Sequence, residues 1–229
     1  MAFQPIVDVT SMRPYAYEAL VRGTGGEGAV SVLSQVTDTN RYAFDQACRV
    51  KAIKCAMAAG LMSTGARLSI NFLPNAVYSP MACIQLTLKT AREQGLALDR
   101  LIFEFTENEQ MTSPQHVESI IDSYKKIGFS VALDDFGAGH AGLDLFVRFA
   151  PDLIKLDMAL IRDVDTDRRR QAIIRGLIAM CAELDTTVIA EGVETTAEAD
   201  MLTSLGIRYQ QGFLFARPGF ECLPLSQGA

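Results

Sequence analysis

The sequence predicts an α/β chain folded as a modified TIM-type (β/α)8 barrel with one antiparallel strand in its first hairpin. Three observations carry that expectation. Eight short β-like runs recur between residues 3 and 215. Helical patterns separate most of them, as parallel strands joined by right-handed crossovers require. The length of 229 residues is close to the roughly 250 that one such barrel needs.

The elements follow in order. "FQPIVDV" (3–9) and "YAYEALVR" (15–22) are separated only by "TSMRP". No helix fits in that gap, so the pair reads as an antiparallel hairpin. The long connection that follows holds a glycine-rich stretch, "GTGGEG" (23–28), and a helix over 42–60. The strands "LSINFL" (68–73) and "LIFEFTE" (101–107) come next, then a helix over 114–128 and the strand "SVALDDF" (130–136). "LIKLD" (153–157), a helix over 168–184, "TVIAEGV" (187–193) and "YQQGFLF" (209–215) complete the chain. Gly60, Gly128 and Gly206 stand where helix C-caps favour glycine. "RDVDTDRRR" (162–170) reads as a solvated helix start with charges suited to the helix dipole.

Composition narrows the function. With 49% hydrophobic residues the chain can bury a large core, and a net charge of -6 with pI near 5.0 argues against a general DNA, RNA or anionic-membrane surface. A phosphate-bearing ligand would have to be held locally, by a metal or a few basic residues. Five cysteines, at no CxxC spacing, read as reduced, buried thiols of a cytoplasmic protein. No signal-peptide pattern and no apolar run of ~18 residues stands in the sequence. The abrupt apolar start suggests a single barrel domain, residues 1–229, cut from a longer signalling protein with an attached sensor or regulatory domain.

Side-chain parity points to a site. Successive residues of a strand face opposite sides, so Leu68, Ile70 and Phe72 oppose Ser69 and Asn71, Leu101, Phe103 and Phe105 oppose Glu104, and Val131 and Leu133 oppose Asp134. The apolar face meets the helices, and the polar face brings an oxygen donor to the barrel axis at the strand's C-terminal end, where such barrels place their chemistry. Glu18, Asn71, Glu104, Asp134, Asp135, Lys155, Glu191 and Gln211 all fall at or just after strand ends. This acid-rich oxygen set suits Mg²⁺ or Mn²⁺ rather than zinc or copper. His116 and His140 fall at no strand end and read as surface or loop residues.

Glu18, Asn71, Glu104 and Asp134 could surround one ion, with Asp134 and Asp135 sharing a second. Two ions roughly 3.5–4 Å apart suit an in-line phosphoryl displacement. Lys155, fixed by Asp157 or another carboxylate, could orient water or neutralise phosphate, and Glu191 could hold the second ion's water. For Asp134 and Asp135 taken alone, a solvated turn is the competing reading. Calcium is expected to inhibit, because its looser coordination disturbs that spacing. A binding module without turnover, and a Schiff-base aldolase using Lys155, are the alternatives from other classes.

The motifs "QPIV" (4–7), "EALVR" (18–22), "INFLP" (70–74), "FEFTE" (103–107), "DDFGAG" (134–139), "LIKLD" (153–157), "IAEGVET" (189–195) and "QGFLFARP" (211–218) together resemble the EAL-domain family of bacterial cyclic di-GMP phosphodiesterases. The resemblance implies hydrolysis of one phosphodiester of cyclic di-GMP to linear 5'-pGpG with Mg²⁺ or Mn²⁺, in a homodimer. It implies Glu18, Asn71, Glu104 and Asp134 as metal ligands, with Asp135 on the second ion. It implies Lys155 as the residue that positions or activates the attacking water and Glu191 as support for the metal-water network. Arg22 corresponds to a phosphate-binding arginine, Gln4, Leu20, Glu194 and Gln211 to substrate-pocket residues, and Glu107 to the anchor of the loop after Asp135. That loop departs from the family, with His140, Ala141 and Gly142 where a tyrosine and two serines are common.

Overall fold

The computed structural model of the chain describes residues 1–106, 113–139 and 142–224. Eight strands close into a barrel, β1 (Ala2–Asp8), β2 (Arg13–Leu20), β3 (Arg67–Asn71), β4 (Leu101–Thr106), β5 (Ser130–Phe136), β6 (Leu153–Leu156), β7 (Thr187–Ala190) and β8 (Tyr209–Gln210). Strands β2 to β8 run parallel in sequence order, and β1 pairs antiparallel with both β2 and β8, closing the ring. The reversed strand is therefore β1, and its first residues lie at the same mouth as the other strands' last ones.

Two expectations about strands need correction. The run 209–215 is a strand only at Tyr209–Gln210, because the chain folds onto β7's exit loop at Gly212. There a Cβ would lie 1.9 Å from the Val193 carbonyl oxygen. A ninth strand, β9 (Gly219–Phe220), pairs antiparallel with the start of β1. Two residues carry no readable period.

The helices are α1 (Ala29–Leu33), α2 (Arg41–Ala58), α3 (Leu61–Thr64), α4 (Pro80–Gln94), α5 (Pro114–Ile127), α6 (Gly142–Phe149), α7 (Met158–Ile161), α8 (Arg168–Glu183) and α9 (Thr196–Leu205). Gly128 and Gly206 cap α5 and α9 in the left-handed conformation, whereas Ala59 caps α2 and left-handed Gly60 follows it. Asp167 caps α8 by accepting from the Arg169 amide at 2.8 Å. Arg162, read as solvated, instead reaches Glu198 at 3.1 Å and Glu194 at 3.2 Å. His116 lies half-buried on α5 with a ring nitrogen against the Val77 carbonyl.

Two apolar layers result. The larger lies between sheet and helices and includes Leu68, Ile70, Phe72, Phe103, Phe105, Val131 and Leu133, the faces that parity assigns outward. The smaller plugs the barrel interior with Ile6, Ala16, Ile102, Ala132, Leu153 and Ile189. All five cysteines are free thiols, but the expectation that they are buried holds fully only for Cys83 and Cys181: Cys48 and Cys55 are half-buried and Cys222 is exposed. Among the described residues, no helix is long and apolar enough to cross a membrane.

Candidate active site

One step of the strand period above the apolar plug stands a polar layer. Two residues beyond Ala16, Ile102, Ala132, Leu153 and Ile189 come Glu18, Glu104, Asp134, Lys155 and Glu191. On reversed β1 the step runs backwards, from Ile6 to Gln4. The same two-residue step leads from Ser69 to Asn71 and from Tyr209 to Gln211. Because residues i and i+2 share a face, the plug that fills the barrel also sets where its crown of polar side chains begins.

At the centre of that crown Lys155 is fully buried. Its Nζ lies 2.7 Å from Glu191 Oε1, 3.0 Å from Glu104 Oε2, 3.1 Å from Asp134 Oδ1 and 3.5 Å from Glu18 Oε2. Burial alone would lower its pKa, but the carboxylates of Asp134, Glu104, Glu18 and Glu191 outweigh it and hold the ammonium well above its ordinary value. Asp157 is not its partner, since its carboxylate caps α7 by accepting from the Ala159 amide at 2.7 Å.

One lysine cannot satisfy so many acids. Burial, followed by the neighbouring charges of Glu18 and Asp134, pushes Glu104 up to about 8 despite Lys155. Burial and then Asp134 raise Asp135 to about 6, and the same two causes raise Glu191 well above the carboxylate range. Ser69, a residue that sequence reading left without a role, donates its hydroxyl to Glu104 Oε1 at 2.5 Å. Its place on the inward face two residues before Asn71 was the available signal.

Strand parity alone would send Asp135 outward. It reaches the site through a bulge, because β5 advances three residues, Leu133 to Phe136, while β6 advances two, Ile154 to Leu156. Asp135 occupies the left-handed region at φ 56°, a conformation that aspartate tolerates better than most residues. Its amide donates to Asp134 Oδ1 at 2.9 Å. The extra residue turns both carboxylates toward the same cavity.

Two overlapping groups of oxygens could hold cations. Oxygens of Glu18, Glu104 and Asp134 all lie within 4.8 Å of one another, as do those of Asp134, Asp135 and Glu191. Asp134 belongs to both. The donors are all oxygen, so the set fits a hard divalent ion. Asn71 joins the first group by donating to Glu18 Oε1 at 3.0 Å. Gln211 donates to Glu18 Oε2 at 2.7 Å and to Gln4 Oε1 at 3.3 Å.

A cavity of about 300 Å³ opens above these groups, lined in part by Gln4, Glu18, Asp134, Asp135, Glu191, Glu194 and Gln211. Phe213 and Met158 also line it, and nothing in strand periodicity marks either. Gly192, at φ 68°, lets its loop pass against Met158, whose Cβ would lie 2.4 Å from an added Cβ. Leu20 and Arg22 lie outside this lining. Leu20 pairs with Ala2, and Arg22 donates to the Val21 carbonyl at 2.8 Å. Glu107, His140 and Ala141 lie outside the described residues.

A family model described as "EAL domain" matches residues 1–218. The chain is 37% identical over 223 residues to the blue light- and temperature-regulated antirepressor BluF of Escherichia coli K12, covering 97% of this chain and 55% of that protein. It is 38% identical over 139 residues to the cyclic di-GMP phosphodiesterase PdeR of the same organism, covering 58% of this chain and 21% of PdeR. The chain thus spans about half or less of these curated relatives. The crystal structure of a standalone EAL protein from Vibrio cholerae O395 in its c-di-GMP-bound form superposes with a TM-score of 0.94 at 45% identity, covering 99% of this chain and 94% of that one. With the family's namesake tripeptide at Glu18–Leu20 and its acidic layer assembled at one barrel mouth, the chain belongs to the EAL-domain family.

Proposed function

We propose that this domain is a metal-dependent phosphodiesterase that hydrolyses cyclic di-GMP to linear 5'-pGpG. The observation that carries the reading is an imbalance of charge. Glu18, Glu104, Asp134, Asp135 and Glu191 converge on one ammonium, Lys155, which leaves an excess of four negative charges when all are ionised. Two divalent ions would neutralise it. Glu18, Asn71, Glu104 and Asp134 would hold one, and Asp134, Asp135 and Glu191 the other. When bound, Mg²⁺ or Mn²⁺ supplies charge stabilisation to the phosphodiester and promotes ionisation of water.

The chain's own residues do the rest. In the metal-free site the surrounding carboxylates hold Lys155 as an ammonium; beside bound cations it positions or activates the attacking water. In the metal-free site that firmly held proton disfavours a Schiff-base role. Glu191, with Oε1 against Lys155, orients the lysine and the water beside it. Gln4, Gln211 and Glu194 offer amide and carboxylate partners to guanine edges, and the exposed Phe213 ring offers a face for base stacking. Addition of water at phosphorus breaks one P–O3' bond, leaving a 5'-phosphate on one guanosine and a 3'-hydroxyl on the other.

The likeness to an antirepressor favours a second reading, in which the barrel captures the nucleotide and signals to an attached domain without turnover. On the family resemblance we also propose that the domain forms a homodimer and works attached to a sensor domain. Purified protein mixed with cyclic di-GMP, followed by separation of the nucleotides, tests both readings. Linear product should form with Mg²⁺ or Mn²⁺, should cease in Glu18→Ala and Asp134→Asn, and should be suppressed by calcium. Binding without product would leave the receptor reading, and calcium-supported turnover equal to that with Mg²⁺ would contradict the proposed ion preference.

A further inference from the structure

Behind the acidic layer, on the helix side of the sheet, lies a second charged pair with no part in the chemistry above. Asp45 and Arg49, one turn apart on α2, are both buried, with the guanidinium fully excluded from solvent. Arg49 Nη2 lies 2.7 Å from Asp45 Oδ2, and Nη1 donates to the Tyr124 hydroxyl at 2.7 Å. The guanidinium carbon sits 5.4 Å, 5.3 Å and 5.7 Å from the ring centres of Phe72, Phe103 and Tyr124. Asp45 Oδ1 accepts from the Leu73 amide at 3.0 Å.

The identity of these partners matters. Phe72 follows Asn71 on the exit of β3, and Phe103 precedes Glu104 on β4. Asn71 and Glu104 are register partners, and the Phe72 amide donates to the Glu104 carbonyl at 2.9 Å. By alternation, each aromatic ring held against the guanidinium fixes the rotation of a backbone whose next side chain points into the barrel. The Leu73 amide held by Asp45 ends the same segment. Stability alone does not account for a charged pair here, because well-packed apolar residues of similar volume commonly serve as well or better in a buried site.

We infer that Asp45 and Arg49 are positioning residues, which set Asn71 and Glu104 at the spacing the candidate metal site needs by clamping β3 and β4 from behind. The inference rests on the metal reading above. Arg49 suits the task because its planar group sets Nη2 in ion-pair contact with Asp45 while Nη1 donates to Tyr124 and its face covers rings, a combination lysine cannot reproduce.

The test is a Mn²⁺ titration of folded protein, with thermal unfolding measured alongside. The double variant Asp45→Asn/Arg49→Met keeps shape and removes both charges, and it should bind Mn²⁺ about 10-fold more weakly, the scale for residues that orient metal ligands. Arg49→Lys should lose a few fold, whatever its melting temperature. A folded double variant with the parent's Mn²⁺ affinity would overturn the inference and leave the metal reading standing. Should the double variant not fold, Arg49→Lys decides, since a lowered melting temperature with unchanged affinity marks a purely structural pair. Failure of the parent to bind Mn²⁺ would remove the metal reading and this inference with it.

Discussion

Lys155 is the residue on which the electrostatics of the mouth turn. Four carboxylates within 3.5 Å surround its ammonium, which occupies the centre of the groups that could hold cations. Lys155→Met should destabilise the metal-free protein by about 3 kcal/mol, since removing one partner of a buried ionic cluster leaves the others uncompensated. Urea denaturation in the presence of a chelator measures it, and an unchanged midpoint would contradict the assignment. The acids give a pH dependence of definite sign. In the folded metal-free protein Glu104 and Asp135 hold protons up to about 8 and about 6, above their values in an unfolded chain. Their contribution to stability is complete below about pH 4 and is lost as pH rises through 6 and 8. Metal ions compete with those protons, so Mn²⁺ affinity should rise over the same window, with protons released on binding. Calorimetry in two buffers of different ionisation enthalpy would detect the release. Affinity independent of pH between 6 and 8 would count against it.

Among the elements, β5 decides whether two adjacent aspartates can serve one site. Its bulge places Asp135 at φ 56°, so substitutions there separate backbone from ligand. Asp135→Asn tolerates the same conformation and, by relieving the repulsion from Asp134, should leave the metal-free protein at least as stable as the parent while losing on the order of 100-fold or more in turnover. Asp135→Val should also lose stability by about 1–2 kcal/mol, because a β-branched residue resists the left-handed region. Equal stability of the two variants in denaturant titration would show that the bulge carries no strain. This element also marks the edge of what sequence can tell. Alternation put Glu104 and Asp134 inward correctly, but the inserted residue that rotates Asp135 has no signature in "ALDDFGAG". The β8 run was overread for a related reason, since the alternating "YQQGFLF" gives no sign that Gly212 folds against Val193. Of the two partners expected for Lys155, Asp157 or another carboxylate, the second alternative is the one found. Asp157 is two residues away and shares the lysine's parity, yet its role was fixed by the start of α7.

For the whole molecule, the barrel works as two stacked layers with one spacing. Small and branched apolar residues plug the interior, and the next inward residue on each strand is polar. That rule was legible strand by strand, because period-2 alternation and the short first hairpin are properties of local sequence. The pairing of Arg162 with Glu194 and Glu198, the role of Ser69 and the clamp behind β3 were not, because each depends on how elements far apart in sequence meet. The central claim is that the crown of acids holds divalent cations. Mn²⁺ binding followed by the loss of its free electron paramagnetic resonance signal tests this most directly. Two ions should bind per chain, with at least one site lost in Asp134→Asn, whereas a parent protein that leaves the free signal unchanged would contradict the account.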